Sequence, residues 1–392
     1  MKLLFLTSRL PFPLDKGDKL RAYHFIKELS KKHEIVLFSL NDESASHEAE
    51  QEMLKYCKRV EVYQLSKLTI FSNLVRNVFK KLPFQVAYFF HQKAELRLQE
   101  LIRQEQPDLV FYQLVRMAEY AVNTNIPKAM DYMDVLSVGV KKRVDQESLF
   151  KKFVFAMEHQ RLTHYEQAVF NRFAKHFIIT EQDRAQIPHN DRNHIEIISN
   201  GVDLTYFHPA SEKKKSVYDV VFSGNMGYPP NIVCAEYLVN QVMPLVWKHQ
   251  PQAKVAIVGT SPSAAVLALA SDKVTVTGRV ADIRKYFYES KMFAGPLFMN
   301  TGLQNKLLES MALGIPCITS TLANNALKGK PGHDVLIADD APAFANAILD
   351  LMQDETKRNH IAKNAELFVN QHHHWSNIGE QLSKELESIR KK

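Results

Sequence analysis

The sequence predicts an α/β protein made of two doubly wound domains, each with a parallel sheet covered by helices. Three observations lead there. Short β-rich runs alternate with helical stretches along the chain. The runs are almost continuously apolar, as strands buried on both faces must be. The alternation also restarts after a charged, proline-bearing segment near the middle. At 392 residues the chain has room for two domains of ordinary size.

"KLLFLTS" (2–8) is the first strand: its apolar run stops at Thr7 and Arg9, short of a secretory-signal core. "EIVLFSL" (34–40), "VEVYQL" (60–65), "DLVFYQ" (108–113), "KAMDYMD" (128–134) and "HFIIT" (176–180) follow, separated by enough chain for crossover helices. The second set is "DVVFSG" (219–224), "KVAIVG" (254–259), "VTVTG" (274–278), "FAGPL" (293–297), "PCITS" (316–320) and "VLIAD" (335–339). Between the sets, residues 208–216 carry Glu212, Lys213, Lys214 and Lys215 and read as a solvated connector. The expected domains are therefore 1–207 and 208–369, with a terminal helix over 370–392 whose Trp375, Ile378, Leu382 and Leu386 share one face. His372, His373 and His374 cannot converge on one metal from a helix, and read as a solvated helix start.

Composition narrows the function classes. Hydrophobic residues at 45% and charged residues at 24% are ordinary globular usage. A net charge of +7 suits an anionic partner without choosing among nucleotide, nucleic acid and membrane surface. Cys57, Cys234 and Cys317 lie far apart, so neither a disulfide framework nor a zinc knuckle is expected, and a reducing compartment fits. No stretch reaches the ~18 to 20 apolar residues of a membrane span. No G-x-G-x-x-G follows a first strand, which argues against a dinucleotide oxidoreductase. In doubly wound folds ligands bind outside the carboxyl ends of the strands, so the chemistry is expected in a cleft between the two sheets.

"TGLQNKLLESMALGIPCITS" (301–320) is the stretch that carries chemistry. Gly302 sits in a turn and a helix begins near Gln304 or Asn305. At 100° per residue Asn305, Glu309, Lys306 and Ser310 span about 140°, with the apolar residues on another arc. Bare amides at a helix start attract an anion, and Lys306 adds a cation where the helix dipole disfavours one. A diphosphate would answer both, and Glu309 could hold a vicinal diol such as a ribose. The alternative is an exposed i, i+3 pair of Lys306 and Glu309 worth about 0.2–0.5 kcal/mol.

The same run resembles the donor-site segment of retaining GT-B glycosyltransferases of family 4, within that group closest to sugar transferases of exopolysaccharide and exosortase systems. "SNGVDLTYFHP", "VTVTGRVADIRKYF" and "LPFPLDKGDKLRAYHFIKEL" are similar to further segments of those enzymes, in the same order. The resemblance implies two Rossmann-like domains facing a cleft, with the last helix crossing back to the N-terminal domain. It implies that Glu309 holds the ribose, that Gly302, Leu303, Gln304 and Asn305 serve the diphosphate or sugar, and that Lys306 neutralises the leaving phosphate. Arg279 and Val280 would border the base, and Gly17 and Gly224 would give close backbone access. Thr301 stands where relatives carry a sugar-reading glutamate, and "GNMGYPPN" (224–231) lacks the cation common there.

In the N-terminal domain, Asp134 is a candidate to orient or deprotonate an acceptor hydroxyl, the alternative being a helix cap. Arg116 also follows a strand end, and is either a further functional residue there or simply a solvated arginine. The reaction implied is metal-independent hexosyl transfer with retention, from a UDP- or GDP-linked sugar to a glycan or lipid-linked acceptor, with no cofactor and no nucleic-acid partner. Alternatives on this architecture are an NDP-sugar epimerase, a sugar phosphorylase, or a silent nucleotide-sugar-binding partner. A cytoplasmic location is expected. Residues 69–90 place Phe71, Val75, Val78, Phe79 and Leu82 near one helical face among Arg76, Lys80 and Lys81. That pattern reads either as a core helix with a solvated back or as a segment lying on an anionic membrane at the inner face of the plasma membrane.

Overall fold

The computed structural model describes the chain except residues 43–45, 79, 121–124, 145–148, 212–214, 300–301 and 391–392. It divides into two compact units, Met1–Ser199 with Trp375–Lys392, and Asn200–His374.

The sheet of the first unit contains β1 (Lys2–Thr7), β2 (Glu34–Asn41), β3 (Arg59–Gln64), β4 (Leu109–Gln113), β5 (Lys128–Asp131), β6 (Lys175–Ile178) and β7 (Glu196–Ile197). Their order is β3-β2-β1-β4-β5-β6-β7, with every pairing parallel. The apolar runs explain this: Leu3 and Phe5 of β1 face one buried layer while Leu4 and Leu6 face the other, all fully buried. The second unit repeats the plan with β8 (Tyr218–Ser223), β9 (Val255–Val258), β10 (Val274–Val276), β11 (Ser290–Gly295), β12 (Cys317–Thr319) and β13 (Leu336–Ile337), in the parallel order β10-β9-β8-β11-β12-β13. Twelve of these strands coincide with the predicted runs; β7 has two residues and no periodicity to betray it.

The terminal helix Trp375–Arg390 belongs to the first unit. Trp375 stacks on His24 with ring centres 4.7 Å apart and meets Phe25 edge-on, while Ile378, Leu382 and Leu386 are buried beside it. Gly379 passes so close to Glu28 that a Cβ there would lie 2.3 Å from the glutamate's.

Three expectations shift. The division falls after Ser199, not 207, because Val202, Leu204 and Phe207 pack into the second core. The last helix starts at Trp375, not 370, since the helix Glu355–His372 takes the preceding residues. The histidines are not a solvated helix start: His372 ends a helix, and His373 is buried with Nδ1 3.0 Å from the Asn200 carbonyl oxygen.

The segment around residue 70 also turns out differently. In the helix Lys67–Asn77 the inward residues are Ile70 and Asn77, and Leu82 packs on the core. Leu68, Phe71, Val75 and Val78 are 82%, 69%, 49% and 52% exposed, so the apolar face points outward. Phe79 lies outside the described residues. Among the described residues no helix is long and apolar enough to cross a membrane.

Candidate functional site

The site builds up from the end of β11. After the strand the chain passes through Gly302 and Leu303 to Gln304, the residue ahead of the helix Asn305–Ala312. Gln304 leaves the helix start uncapped by its side chain, since its Nε2 donates to the Gly302 carbonyl at 2.9 Å. The Leu307 N–H donates to the Gln304 carbonyl at 2.9 Å, while the amides of Asn305 and Lys306 ahead of it have no intrahelical acceptor and no side-chain cap. Asn305 is fixed by Asn200, whose Nδ2 donates to its Oδ1 at 3.3 Å. Leu307, Leu308 and Met311 anchor the other face in the core. Gly314, at φ 69°, closes the helix and returns the chain to β12 in the left-handed conformation that glycine tolerates best.

Lys306 does not pair with Glu309. Its ammonium donates to Asn231 Oδ1 at 2.5 Å and lies 5.2 Å from the centre of the Phe222 ring. Asn231 is buried in the helix Pro229–Tyr237, and its own Nδ2 donates to the Asn225 carbonyl at 2.9 Å, which fixes the oxygen toward Lys306. The exposed i, i+3 pair is thereby excluded. Both Lys306 and Glu309 keep partial solvent access, yet protein surrounds them closely enough to disfavour charge. Burial lowers Lys306 to about 8, against attraction from Cys234 and Glu309. Burial raises Glu309 to about 7, with Lys306 pulling the other way. Among the described residues the Glu309 carboxylate makes no hydrogen bond or ion pair.

Gly224, on the loop after β8, completes this corner. A Cβ on it would lie 2.7 Å from Asn231 Nδ2 and 3.4 Å from Lys306 Nζ. Its carbonyl presses on Gly259, where an added Cβ would come within 1.7 Å of it. Two adjacent strand ends thus meet at glycines, leaving backbone and one ammonium facing outward.

The other expected residues fall as follows. Val280 packs partly on the second core, and Arg279 is exposed on the loop after β10. Gly302 and Gly17 have open space where a side chain would go, and Gly17 begins the helix Gly17–Leu29 of the first unit. Thr301 lies outside the described residues. The structure therefore gathers Gly224, Lys306 and Glu309 with the helix start in the second unit, while Gly17 and Asp134 belong to the first. Asn231 and Gly259 were not anticipated; Asn231 lies in the cation-free loop "GNMGYPPN", and Gly259 ends the predicted run "KVAIVG".

Asp134 corrects a detail. It does not end a strand: β5 stops at Asp131, and Asp134 sits three residues on, after Met133 in the left-handed region at φ 62°. Its surface is open to water, but crowding by the protein and then the charge of Asp183 raise its carboxyl to about 6, against the pull of Arg116. Arg116 is not simply solvated either, for its Nε is buried without an acceptor.

Among the described residues no three or more His, Cys, Asp or Glu are grouped to hold a metal ion.

Residues 218–354, most of the second unit, match the family model described as Glycosyl transferases group 1. The second unit is thus similar in sequence to that family. Over the whole chain the fold is that of GT-B glycosyltransferases. It is similar to sucrose-phosphate synthase from Thermosynechococcus elongatus, at 16% identity and TM-score 0.71, covering 99% of each chain. It is similar too to HepE of Anabaena, solved in complex with UDP-glucose, at 17% identity and TM-score 0.69, covering 99% of this chain and 100% of that one. Among sequences, an uncharacterized 44.6 kDa protein in the cps region of Klebsiella pneumoniae is 21% identical over 98% of this chain and 99% of its own. The corner described above, with Lys306 and Glu309, lies inside the matched segment.

Proposed function

We propose that the protein is a retaining, metal-independent hexosyltransferase that moves a sugar from a nucleoside-diphosphate donor to a glycan or lipid-linked acceptor in surface polysaccharide or glycoconjugate synthesis. The observation that carries this is the Lys306 ammonium, held on a neutral amide beside an uncapped helix start and two bare glycine backbones. A cation whose hydrogen-bond partner is a neutral amide, with no ion pair among the described residues, suits a diphosphate beside unpaired amides. Glu309, one turn along and without a protein partner, suits the ribose hydroxyls. In this reading Lys306 and the helix amides stabilise the charge that develops on the leaving diphosphate, commonly the largest catalytic term. Asp134 orients the acceptor hydroxyl. The HepE complex, on a similar fold, contains UDP-glucose, which favours a uridine donor.

The test is a thermal-shift panel of UDP, GDP, ADP and dTDP, followed by product analysis with the donor sugar of the winning base. A selective shift and a glycosylated acceptor with retained anomeric configuration are expected. An epimerised nucleotide sugar, or phosphorolysis, would assign the chemistry elsewhere on the same fold. Binding without turnover across a donor and acceptor panel would point to a silent partner.

We further infer peripheral contact with an anionic membrane. The support is the outward apolar row of Leu68, Phe71, Val75 and Val78, flanked by Lys67, Arg76, Lys80 and Lys81, in a stretch from 65 to 94 that has no acidic residue. Vesicles containing anionic lipid should carry the protein in flotation and those of neutral lipid should not. Equal recovery from both would remove this contact.

A further inference from the structure

The first sheet has one topological switch. Strand order reverses between β1 and β4, and in open parallel sheets ligands bind in the crevice outside the carboxyl ends at such a reversal. β1 runs out toward Arg9, β4 toward Arg116, and the neighbouring β5 toward Asp134. The backbone is strained at two of these exits. Leu114 at φ 69° and Met133 at φ 62° occupy the left-handed region, which bulky residues avoid, and strain of this kind gathers at functional sites. Each strained residue comes one or two positions before a charged side chain.

The two arginines at the switch are in opposite conditions. Arg9 is occupied: it donates to Asp18 at 3.1 Å and to Asp42 at 3.4 Å. Arg116 makes no hydrogen bond or ion pair among the described residues, and its Nε is buried without an acceptor. Its guanidinium lies 5.0 Å from the centre of the Phe89 ring, which Arg9 also approaches at 5.4 Å. A guanidinium with its Nε shut off from water, its face toward an aromatic ring and no carboxylate bonded to it among the described residues can take an anion on its remaining nitrogens. Its planar fork matches the paired oxygens of a phosphate or carboxylate.

We propose that Arg116 anchors an oxyanion subsite at the switch point of the first sheet, which takes a phosphate or carboxylate group carried by the sugar acceptor. Naming the acceptor as the carrier rests on the glycosyl-transfer reading; the subsite itself does not. Asp134 lies on the loop after the adjacent strand, so an acceptor anchored by its anion would present a hydroxyl toward a carboxylate of the same crevice.

The experiment is calorimetric titration of the full chain and of its Arg116→Gln, Arg116→Lys and Lys306→Ala variants with glucose 1-phosphate, glucuronate, glucose and UDP. Wild type should bind at least one anionic sugar in clear preference to glucose, and which one identifies the group. Arg116→Gln should weaken that binding tenfold or more while changing UDP affinity less than twofold. Arg116→Lys, which keeps the charge and loses the fork, should weaken it at least threefold and serves if the glutamine variant does not fold. The subsite is ruled out if wild type prefers neither anion to glucose. It is equally ruled out if the variants at 116 bind the anion as wild type does, or if Lys306→Ala alone abolishes the binding. Absence of UDP binding with anion binding intact would count against the transferase reading and leave the subsite standing.

Discussion

The Lys306 ammonium is held by the amide oxygen of Asn231, 75 residues away in sequence, rather than by Glu309 on its own helix. A neutral partner fixes the position of the cation without cancelling its charge. Removing the ammonium should therefore cost catalysis far more than fold. Lys306→Ala is expected to lower turnover by roughly 10² to 10³, the range for loss of one charge-stabilising donor. Steady-state kinetics with the donor found by the nucleotide panel measures this; turnover within threefold of wild type would take Lys306 out of the mechanism.

The same arrangement predicts proton uptake on binding. In the free protein burial holds Lys306 at about 8, so near pH 8.5 it is largely neutral. A diphosphate placed beside it favours the charged form and raises its pKa. Binding of UDP at pH 8.5 should then take up a sizeable fraction of one proton, read from the dependence of calorimetric heat on buffer ionisation enthalpy. Lys306→Ala should abolish the uptake. Uptake that persists in that variant would place the titrating group elsewhere.

Glu309 links to stability with the opposite pH window. Its folded-state carboxyl is raised from its ordinary value to about 7, so its stabilising contribution is complete below about 4.5 and is lost as pH rises through 7. Glu309→Gln should flatten the fall in stability of the ligand-free protein between those values. Denaturant midpoints measured across that pH range test it, and parallel curves for the two proteins would refute it.

Gly259 marks a steric limit on the nucleotide corner. At φ 149° any side chain is strained there, and a Cβ would lie within 1.7 Å of the Gly224 carbonyl oxygen, which must then move. Gly259→Ala should destabilise the second unit by about 1–3 kcal/mol or more and weaken nucleotide binding, because the loop displaced is the one that carries Gly224 toward Lys306. Gly278→Ala, where the added methyl meets open space, is the matched control. Equal midpoints for the two variants would show that the loop relaxes freely.

How much of this was legible in the sequence depends on how local each signal is. Parallel strands buried on both faces write themselves as unbroken apolar runs, so β1, β2, β8 and β9 were read almost to the residue. The helix start at Asn305 was legible because its two-faced pattern lies within one helix. Residues 200–207 were given to the wrong unit because the charged run 208–216 was taken as the boundary, while three spaced side chains, Val202, Leu204 and Phe207, decide where they pack. The outward apolar face of the helix Lys67–Asn77 could not be told from an inward one, since periodicity gives an angle and no direction. Asn231 was invisible as the partner of Lys306, and Arg116 as an arginine with a buried, unpaired Nε, because both depend on contacts far apart in sequence.

Another contact between residues far apart in sequence yields a stability prediction. Arg21 and Asp131 are both fully buried and paired twice, Nε to Oδ2 at 2.7 Å and Nη2 to Oδ1 at 3.0 Å. Arg21 also donates to the carbonyls of Ile198 at 2.8 Å and Ser199 at 3.1 Å, tying its helix to the end of the unit's first segment. The pair satisfies its own hydrogen bonds, so the cost of breaking it is that of an uncompensated buried charge. Asp131→Ala should destabilise the first unit by about 3–5 kcal/mol, whereas replacing both residues by apolar ones of similar volume should cost much less. The chain's two tryptophans divide between the units, Trp375 in the first and Trp247 in the second, so a Trp247→Phe background lets fluorescence follow the first unit alone. In that background the urea midpoint should fall sharply for Asp131→Ala and recover substantially in an Arg21→Met, Asp131→Leu double variant. A single variant that unfolds at the wild-type midpoint would mean that water or another group takes over the guanidinium, and the pair would lose its structural role.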